Sequence, residues 1–364
     1  MRIAQISPLH ERVPPRNYGG TERVVHYLTE ELVQRGHQVT LFASGDSATS
    51  AELQACVPNA LRLAGYRGDP VVHELIQLDQ VTEQLERFDV LHFHSGHVHY
   101  PLLNHLSLAH LNTMHGPVNS EDKRVLFHRF PTIPLVSISD AQRLPLPQAN
   151  WLATVHHGLP VHLYRAVQHP QEYLAFIGRV SPEKRLDRAI AIATAVGLPL
   201  KVAAKIDRAD QHYYDSTIEP LIVGNPLIEF IGEVDDAGKQ QLLGHALALL
   251  FPIDWSEPFG LVIIEANACG TPVIAWRNGS TPELIRPGVN GALVDSLEEA
   301  VQAVRGIDRL QRSAVRADFE QRFSSARLAA DYERLYLHQI DLQDELTLSR
   351  AARVDPLDPF PHAA

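Results

Sequence analysis

Short apolar runs alternate along the chain with longer stretches whose apolar positions recur at three- and four-residue steps. That alternation predicts parallel strands joined by covering helices, an α/β architecture. In the first half the predicted strands are 2–7, 38–43, 89–94, 111–115, 135–139 and 153–156. The clearest helix runs from Thr21 to Arg35, with Val24, Val25, Leu28, Leu32 and Val33 on one face and Gly36 as its stop. The second half repeats the scheme with strands at 173–177, 200–204, 228–231, 246–251, 272–275 and 292–294. Its helices fall at 186–196, 235–244, 260–269 and 297–305, the last opened by Ser296 and Glu299 as a capping box. Residues 159–171 hold Pro160, His169 and Pro170 without periodicity and mark the junction. From Arg353 onward, Pro356, Pro359 and Pro361 read as a frayed tail. Two doubly wound domains with a cleft between them follow, and ligands of such sheets sit beyond the carboxyl ends of the strands.

Composition narrows the class. A chain of 364 residues suits two domains of about 150 residues or somewhat more. With 45% hydrophobic and 21% charged residues it is globular, which excludes disorder, collagen and coiled coil. Lys and Arg number 32 against 43 Asp and Glu, and the net charge of −11 argues against nucleic acid as a partner. Only Cys56 and Cys269 are present, too few for a disulfide framework and consistent with a reducing compartment. No apolar run is long enough to span a bilayer. Met1 to Ile6 reads as a buried strand rather than a signal peptide, so a cytoplasmic protein is expected.

Three segments carry candidate chemistry. Tyr18-Gly19-Gly20-Thr21-Glu22 lies between the first strand and the first helix. Adjacent glycines let backbone approach a ligand, and a helix start offers unpaired N–H groups with partial positive charge, so phosphate is the natural guest. Alone, such a pair is equally a plain turn, and no G-x-G-x-x-G follows the first strand. The segment 177–185 leaves a strand end with Arg179, Lys184 and Arg185. In an acidic chain this local reversal suggests a bound anion, and a diphosphate suits both guanidinium and ammonium; the plainer alternative is a solvated cationic loop. The segment 254–266 sets Glu257 just before a helix and Glu265 inside it. Were all of it helical, the carboxylates would stand about 12 Å apart, beyond the roughly 5–10 Å of a glycosidase pair. The spacing suits a grip on two parts of an extended ligand, such as a sugar and a ribose. Phe259, Gly260 and Leu261 would offer N–H groups to a phosphate between them. Glu265 lies among apolar neighbours and needs hydrogen-bond partners unless it faces outward.

With these residues in this order, the sequence resembles the retaining glycosyltransferases of family 4, which have the GT-B fold. The resemblance runs from the Gly-Gly loop to Gly291 and is strongest from Glu257 to Val273, ending Glu265-Ala266-Asn267-Ala268-Cys269-Gly270-Thr271-Pro272-Val273. It implies two Rossmann-like domains facing across a cleft. Residues 1–165 would form the acceptor side, completed by a helix at 325–346, and 166–324 the nucleotide-sugar side, with 347–364 as tail. By the same resemblance Glu257 would hold sugar hydroxyls and Glu265 the ribose. Arg179 and Lys184 would neutralise the diphosphate with Gly19, Gly20 and the backbone of Phe259, Gly260 and Leu261. Val234, in Gly232-Glu233-Val234, would lie beside the base, and His115 beside the reacting sugar. Three positions depart from the family pattern: Arg185 where glycine commonly follows the lysine, His157 in place of asparagine before Gly158, and Arg277-Asn278-Gly279-Ser280 in place of an acidic glycine-rich turn.

The implied activity is transfer of a hexose from a nucleoside-diphosphate sugar, UDP-glucose first, to a hydroxyl of a carbohydrate, lipid-linked or small-molecule acceptor. Configuration would be retained by same-face attack, with no cofactor and no metal, since cations and amide dipoles neutralise the leaving group. An epimerase, a glycan phosphorylase or a non-catalytic sugar-nucleotide binder on the same fold are the alternatives. Among the 20 histidines, His92, His94, His97 and His99 crowd one strand end; cleft-lining is expected of them ahead of zinc binding. The basic stretch 123–130 is expected to be a helix on its own domain rather than a membrane contact.

Overall fold

The computed structural model describes residues 1–16, 19–103 and 105–353. Tyr18 of the Gly-Gly motif and the tail beyond residue 353 therefore lie outside the described residues. Seven described strands form the first sheet: β1 Arg2–Ile6, β2 Gln38–Ser44, β3 Glu52–Val57, β4 Val90–Phe93, β5 Ala109–Thr113, β6 Leu135–Ser137 and β7 Trp151–Thr154. All its pairings are parallel, in the order β3-β2-β1-β4-β5-β6-β7. The second sheet comprises β8 Leu174–Arg179, β9 Leu200–Lys205, β10 Ile228–Phe230, β11 Ala248–Phe251, β12 Val273–Trp276 and β13 Gly291–Val294. It is also parallel, in the order β10-β9-β8-β11-β12-β13. The order reverses beside β1 in one sheet and beside β8 in the other, the switch points where such sheets take ligands. No helix among the described residues is long and apolar enough to cross a membrane.

The helices that matter for the site are α1 Gly20–Gln34, α2 Pro70–Thr82, α3 Glu121–Arg129, α4 Leu186–Val196, α5 Asp236–His245, α6 Leu261–Ala268, α7 Leu297–Arg305, α8 Arg312–Arg322 and α9 Ser325–Arg353. The periodicity of α1 buries Val24, Val25, Leu28 and Leu32 against the first sheet. Ser296 caps α7 by accepting from Glu299 N at 3.1 Å, but the Glu299 carboxylate reaches Asp295 N at 2.7 Å instead of closing the box on the serine. On α3, Ser120 caps the start and Phe127 is buried, while Val125 stays exposed.

Three of these elements escape the hydrophobic pattern, one of them α8, whose buried face mixes Arg312 and Asp318 with Val315 and Phe319. Strand β3 is an edge strand whose first four residues are exposed or half-buried, so Glu52 and Gln54 break the apolar run that a central strand would show. Helix α2 buries only Gln77 and Val81 fully, which leaves too narrow an apolar stripe to stand out.

Helix α9 follows the second sheet in sequence but packs on the first, where Leu328, Ala329, Tyr332 and Tyr336 share a core with Ile3, Val90 and Leu111. The chain thus crosses twice between the sheets, and the crossings run side by side. Leu159 N donates to Phe323 O and Ser325 N to Leu159 O, both at 2.8 Å. Gly158 permits this approach, since a Cβ there would collide with the backbone of Ser324.

Candidate active site

Where the carboxyl ends of the two sheets face each other lies a cleft of about 770 Å³. Gly19, Gly20 and His115 line it from the first half, and Arg179, Lys184, Val234, Glu257, Phe259, Gly260, Leu261 and Glu265 from the second, whereas Arg185, His92, His94, His97 and His99 do not.

Two helix starts meet across this cleft. Gly19 stands at the N-cap of α1 with φ 146°, and a Cβ there would strike Pro15. Gly260 stands at the N-cap of α6 with φ 90°. A glycine at each cap has no side chain to satisfy the leading N–H groups, which leaves that role to a ligand. The helices are close: a Cβ on Gly20 would sit 3.4 Å from Leu261 Cδ1.

The second-half wall is charged and internally paired. Lys184 Nζ donates to Glu257 Oε2, and its ammonium lies 4.9 Å from the centre of the Trp255 ring. The Trp255 indole N–H donates to the same carboxylate oxygen at 3.2 Å. Arg179 donates to Glu183 at 2.6 Å and stands 3.3 Å from Asp210. Glu265, its side chain only 3% exposed, accepts from Lys239 Nζ at 2.6 Å. That pairing resolves the cost of a carboxylate in an apolar helix. Glu257 itself lies outside α6, in the loop that precedes it.

Backbone contacts hold the Glu257 loop. Ser280 N donates to Glu257 O at 3.0 Å, Asp254 N to Glu183 O at 2.8 Å. Gly279, at φ 56°, lies so close that a Cβ would collide with the backbone N and O of Glu257. The turn 277–280 thus buttresses the Glu257 loop. Arg185 adopts a left-handed backbone, φ 54° and ψ 50°, a region that favours glycine. It turns its guanidinium away, onto Asp187 at 2.8 Å and Asp254 at 2.8 Å.

Around His115 the first-half wall is neutral and aromatic. His115 lies just beyond β5, stacked on His157 with ring centres 5.3 Å apart, and His157 meets the Phe259 ring edge-on at 4.7 Å. Burial pushes the His115 imidazole down to about 3 and lowers that of His157 as well, so both are neutral. The expectation that the histidines around β4 line the cleft is corrected here. His92 and His94 lie behind His115 because alternation on the strand turns both to one face, where His92 meets α9 and His94 meets Gln5 and His115. His99 stacks on Phe93 and bonds Asn112. Among the described residues no group of three or more His, Cys, Asp or Glu side chains could hold a metal ion.

Sequence reasoning missed several groups at the cleft. Lys239 carries no motif, and its pairing with Glu265 appears only in three dimensions. Arg23, beside the Gly-Gly loop, bridges to Asp236 on α5 at 2.7 and 2.9 Å, tying the two halves together. Tyr164 OH donates to the same aspartate at 3.2 Å. Glu283 makes a second bridge, accepting from Asp140 N and Ala141 N at 2.8 Å and from His156 at 2.9 Å. Glu11, Glu22 and Arg62 also line the first-half side.

Two Rossmann-like sheets facing across a cleft define a GT-B architecture. The family described as glycosyl transferases group 1 matches residues 165–326, and that described as Glycosyltransferase Family 4 matches residues 18–136. The chain belongs to glycosyltransferase family 4 and is a glycosyltransferase. It is 26% identical to a phosphatidyl-myo-inositol mannosyltransferase of Mycobacterium leprae, across 92% of this chain and 96% of that protein. AviGT4, a glycosyltransferase of avilamycin A biosynthesis, superposes with a TM-score of 0.72 at 25% identity over 94% of this chain and 98% of its own. Anabaena HepE, solved with UDP and glucose, gives a TM-score of 0.68 at 19% identity over 92% and 99%.

Proposed function

We propose that the protein transfers a hexose from a nucleoside-diphosphate sugar, UDP-glucose before others, to a hydroxyl acceptor with retained anomeric configuration. One observation carries the reading: Arg179, Lys184, two glycine-capped helix starts, Glu257, Glu265 and His115 converge on one cleft. The diphosphate lies between the cations and the N–H groups of Gly20 and of Phe259 to Leu261, which neutralise it as it leaves without a metal ion. Glu265 holds the ribose, the Val234 segment flanks the base, and Glu257 grips the sugar hydroxyls. Lys184 then shares its charge between Glu257 and the diphosphate. The acceptor hydroxyl attacks the anomeric carbon from the face the diphosphate leaves, and its proton passes to the departing phosphate oxygen. Residues 1–165 with α9 serve the acceptor, a carbohydrate, lipid-linked or small polyol hydroxyl, and 166–324 the donor. HepE, solved with UDP and glucose, favours a uridine donor. Two unpaired buried cysteines, Cys56 and Cys269, fit work in the reducing cytoplasm.

The test is a panel of UDP- and GDP-hexoses with mixed acceptors and a chelator present, read as nucleoside diphosphate released and product configuration by NMR. UDP and an axial glucoside are expected from UDP-glucose. Release dependent on inorganic phosphate, or epimerised donor without acceptor, would replace the reading by phosphorylase or epimerase.

A further inference from the structure

We infer that Gln5, His94 and Tyr336 form a relay that fixes the tautomer of His115, so that this imidazole offers the donor sugar a lone pair and not a proton. The inference rests on the transferase reading above for its substrate, but not for its geometry. Gln5 in β1 points its amide between two elements. Its Nε2 donates to Tyr336 OH on α9 at 2.9 Å, which turns its Oε1 to His94 Nε2 at 2.7 Å. A carbonyl oxygen only accepts, so His94 carries its proton on Nε2. Burial holds His94 neutral, which leaves a lone pair on its Nδ1. That atom lies 2.9 Å from His115 Nε2, which must therefore donate. His115 is neutral too, so its own lone pair sits on Nδ1, a buried atom with no hydrogen-bond partner among the described residues.

The far end of the relay is anchored as firmly. Tyr336 OH lies 2.7 Å from His92 Nδ1, His92 Nε2 lies 2.7 Å from Thr113 Oγ1, and Thr113 Oγ1 lies 2.7 Å from Tyr332 OH. Tyr336 donating to His92 Nδ1 leaves the His92 proton on Nε2 for Thr113, so both His92 nitrogens are satisfied and His115 Nδ1 alone is left open in the relay. The stacked His157 ring holds the His115 plane. Helix α9 thus sets the sense of a hydrogen bond at the sugar site. Gln5, His94 and Tyr336 are positioning residues, and they select for a sugar with a hydroxyl that can donate to His115.

The experiment uses the full chain with nitrogen-15 histidine, the His115 signals being identified by their loss in His115→Phe. A proton on Nε2 and none on Nδ1 is expected across the neutral range; a proton on Nδ1 in the unmodified protein overturns the proposal. Gln5→Met is expected to show both tautomers and a kcat about tenfold lower, with KM changed about twofold or less; an unchanged tautomer in that variant also overturns it. Donors with each sugar hydroxyl replaced by hydrogen or fluorine supply the second arm. At the hydroxyl facing His115, both replacements should lower kcat/KM about ten- to a hundredfold, whereas a tolerated fluorine beside an untolerated hydrogen would mean His115 donates. Should no nucleotide sugar react, the transferase reading falls while the tautomer measurement still decides the relay.

Discussion

The two walls of the cleft solve opposite electrostatic problems. The second-half wall would meet the proposed diphosphate, dianionic in the donor and more negative as it departs, and it is built of cations and carboxylates that hold one another: Lys184 with Glu257, Lys239 with Glu265, Arg179 with Glu183. The first-half wall lies beside the proposed sugar, whose anomeric carbon becomes positive as the bond to the diphosphate stretches. The charged Arg23 and Arg62 line it elsewhere, but around His115 it is built of neutral rings, His115 and His157, kept uncharged by burial. A cation there would oppose the developing charge, while a neutral acceptor orients hydroxyls at no such cost. The pairings differ in reach as well. Arg179 and Glu183 lie four residues apart, whereas Gln5 and Tyr336 lie 331 apart. One wall is assembled largely within its own half, and the other depends on the return of the last helix.

The largest effect expected on the charged wall is at Glu257. Glu257→Ala removes the proposed sugar grip and the partner of both Lys184 and the Trp255 indole. Turnover should fall by about a thousandfold or more, with the circular-dichroism melt retained, because the loop is held by backbone bonds from Ser280 and Asp254 rather than by this carboxylate. Near-normal turnover would remove Glu257 from the site and with it the contrast between the walls.

Gly279→Ala tests the same wall without touching any charge. The new Cβ would collide with the Glu257 backbone, and the left-handed φ of 56° adds strain of about 1 kcal/mol. A displaced glutamate should lower kcat/KM about ten- to a hundredfold, measured beside Glu257→Ala. Additive losses in the double variant would show that Gly279 acts elsewhere.

How much of this was legible in the sequence follows the same division. The charged wall was legible because its residues sit at strand ends and helix starts, places that periodicity and glycine mark: Arg179 closes β8, Gly260 precedes α6. The neutral wall was not, apart from His115. Gln5 reads as one polar residue inside a buried strand, Tyr336 as one aromatic residue on a helix, and nothing local joins them. The histidines of β4 were visible as a cluster, but their burial follows from α9 packing over that face. Lys239 was invisible for the same reason, being one lysine on a polar helix until α5 lies against α6. Strand β3 and helix α2 were missed because each is largely exposed, and α8 because its buried face carries Arg312 and Asp318, which blurs the apolar rhythm.

Glu22 offers a smaller test on the first-half side. Burial, chiefly, and the neighbouring Glu11 charge raise its carboxyl from 4.5 to about 7. The folded protein thus binds a proton there between pH 4.5 and 7 that the unfolded chain releases, so its stabilising contribution fades as pH rises through that window. Glu22→Gln abolishes the effect. Relative to the parent, the variant should gain about 1–3 kcal/mol as pH climbs from the bottom to the top of this window. The two stability curves should run parallel at higher and lower pH. The buried histidines act in the opposite sense, losing stability as pH falls, but identically in both proteins, so the difference isolates Glu22. Denaturant unfolding across pH measures it, and a difference independent of pH would mean Glu22 is ionised in the fold.

The smallest effect is expected at Arg185, and it sharpens the charged wall by asking which of its cations face the ligand. Arg179 and Lys184 line the cleft, while Arg185 binds Asp187 and Asp254 behind it. Arg185→Gly relieves left-handed strain of about 1 kcal/mol and gives up two partly exposed ion pairs of about 0–1 kcal/mol each. The added freedom of glycine in the unfolded chain costs about 0.4–1 kcal/mol more. These terms nearly cancel, so Tm should move by no more than about 3 °C, and KM for the donor by about twofold or less. A donor KM raised about tenfold would place a third cation on the diphosphate and make Arg185 part of how this enzyme holds its donor.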